Sequence, residues 1–183
     1  MDRILNVENL QVSFHTYAGE VRAVRGVSFE LGRGETLAFV GESGCGKTAT
    51  AKAIMRLWKP PFVEIKSDSV VEYNGEDVMK MDKKRLQSLR GNDISMIFQD
   101  PMTSLNPTMT VGKQIMEGLQ LHRGLNKAQA REEAINMLRM VKIPVPEKNV
   151  DSYPHQLSGG MRQRVMIAMA LACQPSILIA DEP

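Results

Sequence analysis

The chain has 183 residues, the length of one domain, and its 23 basic and 21 acidic residues give a formal net charge of only +2. Hydrophobic residues make up 43% and charged residues 24%, values typical of globular proteins that argue against disorder and low complexity. A charge so close to zero offers no electrostatic case for binding nucleic acid or a membrane surface. The longest apolar run, residues 165–173, is far short of the ~20 residues that cross a bilayer.

The first half of the chain predicts a β hairpin, a strand and a helix. Residues 4–14 and 21–31 alternate between apolar and polar side chains, which predicts two half-exposed antiparallel strands joined by a turn near Ala18. The short apolar run 36–40, which a glycine follows, predicts a buried strand. Residues 47–58 are rich in alanine and predict a helix that stops before a pair of prolines.

The second half predicts two more buried strands, at residues 94–98 and 177–180, with helices between them. The helices are expected over residues 110–141 and 158–173, and the polar, proline-punctuated stretch 144–154 predicts a loop. Buried strands separated by helices indicate an α/β fold with a mainly parallel sheet. The predicted fold is therefore an α/β core with an antiparallel β subdomain at its N-terminus and an inserted helical subdomain.

Local signals mark a helix start within the longer helical stretch. Asn126 stands where an N-cap belongs, and Gln129 follows three residues later, as in a capping box. Behind them Ala134, Met137 and Leu138 recur at helical spacing. The pattern predicts an amphipathic helix whose apolar face packs into a core.

A phosphate-binding motif lies between the predicted strand 36–40 and the helix after it. The sequence GESGCGKT matches the pattern G-x-x-x-x-G-K-[ST] in the strand–loop–helix context that the pattern requires. Glycines allow successive N–H groups to point at a phosphate chain, Lys47 adds a positive charge, and the Thr48 hydroxyl is suited to bind Mg²⁺. The candidate phosphate-binding residues are Gly41, Glu42, Ser43, Gly44, Cys45, Gly46, Lys47 and Thr48.

Two carboxylates end the last predicted strand. Asp181 and Glu182 follow the apolar run 177–180, a costly place for two acids unless a cation or a reaction uses them. In that case Asp181 would hold Mg²⁺ through water, and Glu182 would orient and polarise an attacking water. The alternative is a strand followed by two surface acids, which the phosphate-binding motif upstream makes less attractive.

A third motif, Leu-Ser-Gly-Gly-Met at residues 157–161, opens the last predicted helix. Ser158 is a good N-cap, but each of the two glycines after it is about 1 kcal/mol less favourable in a helix than alanine. The glycines therefore indicate a close approach of some partner to the backbone, where exposed N–H groups would bind an anion. Arg162 and Arg164 follow, and they indicate either a negative partner nearby or a solvated helix face.

Together these motifs resemble the nucleotide-binding subunit of ATP-binding-cassette transporters, and the Leu-Ser-Gly-Gly motif separates that family from other phosphate-loop ATPases. Residues 97–107 and 153–164 make the importers of oligopeptides, dipeptides and nickel the most similar group. The resemblance covers the chain from Leu5 onward. It implies a single cassette domain over residues 1–183, incomplete at its C-terminus, with a helical subdomain at about 100–170.

The resemblance also implies the roles of individual residues toward ATP and Mg²⁺. An aromatic residue of the first hairpin would stack on adenine, and Phe14 matches that position best, with Tyr17 as the rival. The implied catalytic residues are Lys47, Gln99 and Glu182. The implied metal ligands are Thr48, Gln99 and Asp181, and Gln99 would also contact the attacking water. The residues expected to contact ATP held by a second cassette are Ser158, Gly159, Gly160 and Met161.

The partners implied by the resemblance are those of a membrane transporter. A second cassette subunit, identical or paralogous, would complete the site in a head-to-tail dimer. Two membrane permease subunits would dock on the helices, and an extracytoplasmic solute-binding protein would act indirectly, with no nucleic acid involved. The chain would then be a peripheral ATPase at the cytoplasmic face of the cell membrane that powers the import of peptides or a related small solute. The alternatives are an inactive nucleotide-binding fragment and a soluble cassette ATPase that acts on nucleic acid or ribosomes.

One departure from the family concerns the end of the sequence. Family members continue with a strand that inserts between the acidic strand and the phosphate-loop strand, and with a histidine that contacts the γ-phosphate, whereas this sequence stops at Pro183. We therefore expect the sheet to lack a central strand, with unpaired backbone groups on its neighbours. The 183-residue chain alone is expected to be marginally stable and to show no measurable ATP turnover.

Overall fold

The structure is a computed structural model that describes residues 2–58 and 60–182, which fall into two compact units divided after Leu86. In the first unit, β1 (Arg3–Thr16) and β2 (Gly19–Gly32) form an antiparallel hairpin in which Thr16 pairs with Gly19 across the turn. This confirms the hairpin predicted from the alternating pattern. The single-domain interpretation of residues 1–183, with a helical subdomain at about 100–170, stays a prediction.

The sheet of the first unit is larger than the sequence indicated. Strand β1 also pairs with β3 (Val63–Ile65) and β4 (Val70–Tyr73), and β4 pairs with β5 (Glu76–Asp77), always antiparallel. These strands are two to four residues long, too short for an alternating pattern to stand out. Strands β3 and β4 cover β1 on the side away from β2, so β1 lies inside this sheet.

Helix α1 (Lys47–Ile54) contacts the β1–β2 hairpin, and its three alanines, Ala49, Ala51 and Ala53, are buried. It ends earlier than predicted, because Arg56 has a φ of +50° and leaves the helical region. A 3₁₀ turn over Val78–Lys80 and helix α2 (Lys83–Ser88) complete this part of the chain.

The predicted strand over residues 36–40 is wrong. The described residues contain no strand pairing for this run, and its side chains Leu37, Phe39 and Val40 are 46%, 42% and 95% exposed. An apolar sequence becomes a strand only where a neighbouring segment pairs with its N–H and C=O groups. Phe39 instead lies edge-on to Phe29 of β2, with ring centroids 5.1 Å apart.

The second unit contains a parallel strand pair, β6 (Ile94–Ile97) and β7 (Ile177–Ala180), which confirms both predicted strands. Within the described ranges this pair is the parallel part of the predicted α/β core. An irregular helical turn over Leu89–Asp93 precedes β6. The helices are α3 (Pro101–Ser104), α4 (Val111–Arg123), α5 (Lys127–Met140), α6 (Pro146–Asn149) and α7 (Gly159–Leu171).

These helices confirm the predicted helical stretches with two differences. Helix α6 lies inside the segment 144–154 that was predicted to be a loop, and a 3₁₀ turn over Pro154–Gln156 begins at the last residue of that segment. Asn126 and Gln129 form the predicted capping box at the start of α5. The apolar face of α5 is buried as expected, together with residues of α4 and α7, in a core that includes Ile115, Leu119, Ala134, Met137, Leu138 and Val165.

Helix α7 connects this helical core to the parallel strands. Its Val165 and Ala168 belong to the helical core, whereas Met166 and Ala170 pack with Ile97 at the end of β6. Hydrophobic residues all around the helix are typical of an element buried between two layers. Helix α7 therefore packs against both the helical core and the end of β6. No helix in the described part of the chain has both the length and the hydrophobicity to span a membrane.

Candidate functional site

The phosphate-binding motif forms a curled loop that leads into α1. Gly44 and Gly46 have φ angles of +85° and +100°, and Gly46 is the N-cap of α1. A Cβ atom on Gly46 would lie 2.6 Å from the carbonyl oxygen of Ala23 in β2. Glycine is therefore required at position 46 both by the left-handed backbone and by the approach of β2.

The start of the loop is equally tight. The backbone N–H of Cys45 donates to the carbonyl of Glu42 at 3.3 Å, and a Cβ on Gly41 would lie 2.7 Å from Cys45 Sγ. The Cys45 side chain is exposed, as are its neighbours Ser43 and Gly44. Residues 43–45 of the loop are thus exposed, so that a phosphate chain can reach the loop.

Lys47 places its charge at this loop. Its ammonium Nζ donates to the carbonyls of Gly41 at 2.8 Å and Glu42 at 3.0 Å. Thr48 lies beside it in the first turn of α1 and is half-buried. Left-handed glycines, the positive end of a helix and an ammonium group suit a polyphosphate anion, so these residues fit the phosphate chain that the motif predicts.

The two candidate aromatic residues occupy different environments. Phe14 is half-buried and lies edge-on to Trp58, with ring centroids 5.1 Å apart, while Lys52 Nζ lies 5.7 Å from the Trp58 ring. Tyr17 is fully exposed in the turn of the hairpin. Phe14 therefore has a packing role within the first unit, and adenine stacking by either residue stays a prediction.

Three predicted site residues come together at the ends of the parallel strands. Ile97 pairs with Ala180, and the backbone N–H of Asp181 donates to the carbonyl of Ile97 at 3.0 Å. As a result Gln99 Nε2 donates to Glu182 Oε2 at 2.7 Å. Asp181 is buried, at 7% exposure, whereas the Gln99 and Glu182 side chains are exposed.

Residue types alone gave no reason to single out Gln99, which was assigned only through the family resemblance. The usable signal was the pair of buried strands 94–98 and 177–180, because parallel neighbours bring their carboxyl ends to one edge of a sheet. Glu182 itself has a φ of +49°. A left-handed conformation is rare for a residue with a Cβ atom, and such residues cluster at functional sites.

The Leu-Ser-Gly-Gly-Met motif forms the exposed N-terminus of α7. The Ser158 hydroxyl accepts from the N–H of Met161 at 3.4 Å, which confirms its role as N-cap. Gly159 and Gly160 are exposed, and a Cβ on either residue would meet no atom within 4 Å. Packing in this chain therefore gives no reason for the two glycines.

The arginines after this motif adopt an arrangement that the sequence did not predict. Arg162 is half-buried, its Nε donates to the carbonyl of Leu157 at 3.0 Å, and its guanidinium contacts Met102 Sδ. Arg164 donates to the carbonyl of Lys142 at 3.0 Å. Both side chains thus bind backbone carbonyls, rather than only water or an acidic partner.

The candidate metal ligands provide the oxygen donors that Mg²⁺ prefers. A hydroxyl, an amide and a carboxylate are hard ligands, and Mg²⁺ commonly takes few protein oxygens together with water and phosphate. The residues concerned are Thr48, Gln99 and Asp181. Among the described residues no group of three or more His, Cys, Asp or Glu side chains forms a separate metal site.

Comparisons with known proteins identify the relatives of this chain. Residues 24–183 match the family described as ABC transporter. The chain is 55% identical over 183 residues to the dipeptide transport ATP-binding protein DppD of Bacillus subtilis, covering 100% of this chain and 54% of that protein. It is 52% identical over 182 residues to the oligopeptide transport ATP-binding protein OppD of Escherichia coli, covering 100% and 53%. The chain therefore spans about half the length of these relatives.

Solved structures show the same similarity. The dimeric post-hydrolysis structure of the ATP-binding cassette MJ0796, bound to ADP and Pi, has a TM-score of 0.84 and 28% identity, covering 97% of this chain and 73% of that one. The structure of cbiO1 from Clostridium perfringens, part of the ABC transporter complex cbiONQ, has a TM-score of 0.74 and 28% identity, covering 100% and 66%.

Proposed function

The chain belongs to the ABC transporter family, and from this premise we propose that it is the nucleotide-binding part of an ATPase that powers the import of dipeptides or oligopeptides. The observation that carries the proposal is the end of the β6–β7 pair, where Gln99, Asp181 and Glu182 lie together. The names of the relatives support the solute class, since both DppD and OppD are peptide transport ATP-binding proteins.

The proposed chemistry is hydrolysis of the terminal phosphoanhydride bond of ATP. A water oxygen attacks the γ-phosphorus, the bond to the ADP oxygen breaks, and the water's proton goes to the Glu182 carboxylate. Lys47 and the amides of residues 41–48 bind the phosphate chain, and Thr48, Gln99 and Asp181 would hold Mg²⁺. When bound, Mg²⁺ neutralises phosphate charge. Adenine would stack on Phe14 or on Tyr17.

The N-terminus of α7 has a proposed role in dimerisation. Ser158, Gly159, Gly160 and Met161 would contact ATP that is held by a second cassette subunit, identical or paralogous. The open N-terminus of α7 supports this role, because the glycines there have no packing partner within 4 Å. The MJ0796 cassette, bound to ADP and Pi, is dimeric.

The proposed partners follow from the same premise. Two membrane permease subunits would bind the cassette pair at the cytoplasmic face of the membrane, with the cassettes peripheral to it. An extracytoplasmic binding protein would deliver the peptide to the permeases. No role for nucleic acid is proposed.

Co-purification and reconstitution test this function. The protein is purified with its permease subunits, placed in liposomes, and assayed for ATP hydrolysis with and without a peptide-loaded binding protein. We expect hydrolysis that rises when the loaded binding protein is added. Hydrolysis that responds to nucleic acid or ribosomes, with no permease recovered, would contradict the proposal in favour of a soluble cassette ATPase. ATP binding without any turnover in the complex would favour an inactive nucleotide-binding fragment.

A further inference from the structure

The hydrogen bond between Gln99 and Glu182 suggests a role for Gln99 beyond metal binding. We propose that Gln99 is a positioning residue for Glu182, whose amide N–H holds the carboxylate in the orientation needed to accept a proton. This inference rests on the proposed function, because it takes Glu182 as the base. It concerns a contact within this chain rather than a contact with nucleotide.

The backbone around the two residues is fixed before their side chains meet. Strands β6 and β7 are in parallel register, with Ile97 opposite Ala180, and the N–H of Asp181 extends this pairing to the carbonyl of Ile97 at 3.0 Å. Met166 and Ala170 of α7 pack against Ile97 and secure the strand end. The position of the Glu182 carboxylate therefore depends on its own torsions and on what its oxygens bind.

The backbone of Glu182 has a conformation that is uncommon for a residue with a Cβ atom. Its φ of +49° is a conformation that residues with a Cβ atom rarely adopt, and it persists only where surrounding contacts maintain it. The Glu182 side chain is exposed, so close packing does not select its rotamer. The 2.7 Å distance from Gln99 Nε2 is short for an amide donor and typical of a charge-assisted hydrogen bond to a carboxylate.

A glutamine at position 99 can serve Glu182 and a cation at once. Its amide has N–H donors and a carbonyl acceptor, and donation from Nε2 to Glu182 leaves Oε1 able to bind elsewhere. A glutamate at this position would keep an oxygen ligand but offer no donor. Gln99→Glu therefore keeps an oxygen ligand for the cation, removes the donor to Glu182 and adds a negative charge beside it.

The first test needs no nucleotide and no activity. The side-chain amide of Gln99 is identified in ¹⁵N–¹H spectra by its loss in Gln99→Met. Its donor proton should shift upfield in Glu182→Gln, because a neutral amide is a weaker acceptor than a carboxylate. Glu117→Gln, at an exposed site on α4, is the matched control and should leave the signal in place. An unchanged Gln99 signal in Glu182→Gln would overturn the proposal.

The second test separates turnover from binding. In the assembled transporter, Gln99→Glu should lower kcat at least tenfold while calorimetry gives an affinity for Mg–ATP within about threefold of the parent. A parent kcat in Gln99→Glu would overturn the positioning role, as would equal losses of affinity and kcat. If the parent transporter itself binds or hydrolyses no ATP, the proposed function fails, and the spectroscopic test still decides whether Gln99 holds Glu182.

Discussion

The carbonyl oxygen of Ala23 lies 2.6 Å from the point where a Cβ atom of residue 46 would stand, so the phosphate-binding loop meets β2 backbone to backbone at Gly46. A motif glycine is usually explained by ligand access or by backbone conformation. At Gly46 the fold supplies a second reason, because the carbonyl of a paired strand cannot move aside as a flexible side chain would. Gly44 has a left-handed φ as well, but a Cβ there would meet no atom within 4 Å.

This difference predicts that Gly46→Ala is more harmful than Gly44→Ala. Gly44→Ala should lower the free energy of unfolding by about 1–2 kcal/mol, the cost of a left-handed conformation with a Cβ atom. Gly46→Ala adds the clash with Ala23. It should lower the free energy of unfolding by at least twice as much, or displace the loop and weaken ATP binding more than tenfold. Urea unfolding and calorimetry with ATP measure both quantities. Equal effects of the two substitutions would show that the contact with Ala23 is unimportant.

Lys47 is predicted to be needed for ATP binding or hydrolysis. Lys47→Ala removes the ammonium group that bonds to the loop carbonyls at Gly41 and Glu42, and the positive charge available to phosphate. We expect the free energy of ATP binding to become less favourable by about 2 kcal/mol or more, or turnover to vanish. Lys52→Ala removes the same charge from the same helix, beside Trp58, and should change ATP affinity much less. Unchanged binding and hydrolysis in Lys47→Ala would contradict the phosphate-binding assignment.

Sequence patterns located the elements whose signals are local. The β1–β2 hairpin follows from alternation, and the α5 start follows from Asn126 and Gln129, since a capping box needs only four residues. The strand predicted over residues 36–40 is wrong for the opposite reason. Their apolar content indicates burial, but strand formation depends on a partner elsewhere in the chain, which no local pattern specifies.

The candidate site divides in the same way. The loop 41–48 was predicted from its own sequence, because glycine conformation and helix polarity act over a few residues. The hydrogen bond between Gln99 and Glu182 could not be predicted in this way. The two residues are 83 positions apart, and only the register of β6 with β7 brings them together. The contacts of Arg162 and Arg164 with backbone carbonyls were also not predicted, because residue types do not indicate which backbone carbonyl a side chain contacts.

Glu20 in β2 gives a prediction about pH. The Ser13 hydroxyl and the ammonium of Lys66 lower the pKa of Glu20 from its ordinary 4.5 to about 2. A lowered pKa means that the folded protein favours the carboxylate, so this stabilisation is present above pH 4.5 and is lost as the pH falls toward 2. The free energy of unfolding of the parent, minus that of Glu20→Gln, should therefore decrease between pH 5 and pH 2.

Ser13 provides the control for this effect. Ser13→Ala removes the leading cause of the lowered pKa of Glu20 and should make the difference between the glutamate and glutamine proteins less dependent on pH. The carboxylate is exposed, so the effect is small and decreases with added salt. A difference that stays constant from pH 5 to pH 2 would contradict the assigned hydrogen bond.

Glu182→Gln is expected to separate binding from hydrolysis. The amide keeps the size of the side chain but cannot take the proton of the attacking water. The variant should bind ATP with parent affinity, lose hydrolysis, and accumulate as an ATP-bound dimer that is visible by size-exclusion chromatography. Glu117→Gln, on the exposed face of α4, should hydrolyse ATP at the parent rate. Parent-rate hydrolysis by Glu182→Gln would show that another group is the base.

A buried glutamine fixes the loop between α3 and α4. Gln114 is 7% exposed; its Nε2 donates to the carbonyls of Asn106 and Met109, both at 3.0 Å, and its Oε1 accepts from the N–H of Asn106 at 2.9 Å. The loop backbone thus obtains from one side chain the hydrogen bonds that regular structure would otherwise supply. This loop follows α3, which begins two residues after Gln99.

Gln114→Met keeps the length of the side chain but removes all three bonds and leaves an N–H and two carbonyls to be resatisfied. We expect the free energy of unfolding to fall by about 2–4 kcal/mol, because unsatisfied buried polar groups cost more than the net value of the bonds themselves. Gln120→Met makes the same chemical change at an exposed position of the same helix and should stay within about 0.5 kcal/mol of the parent. Urea unfolding with an unchanged m-value measures both. If the two variants are equally stable, water can replace the Gln114 amide, and the Gln114 side chain does not fix the loop.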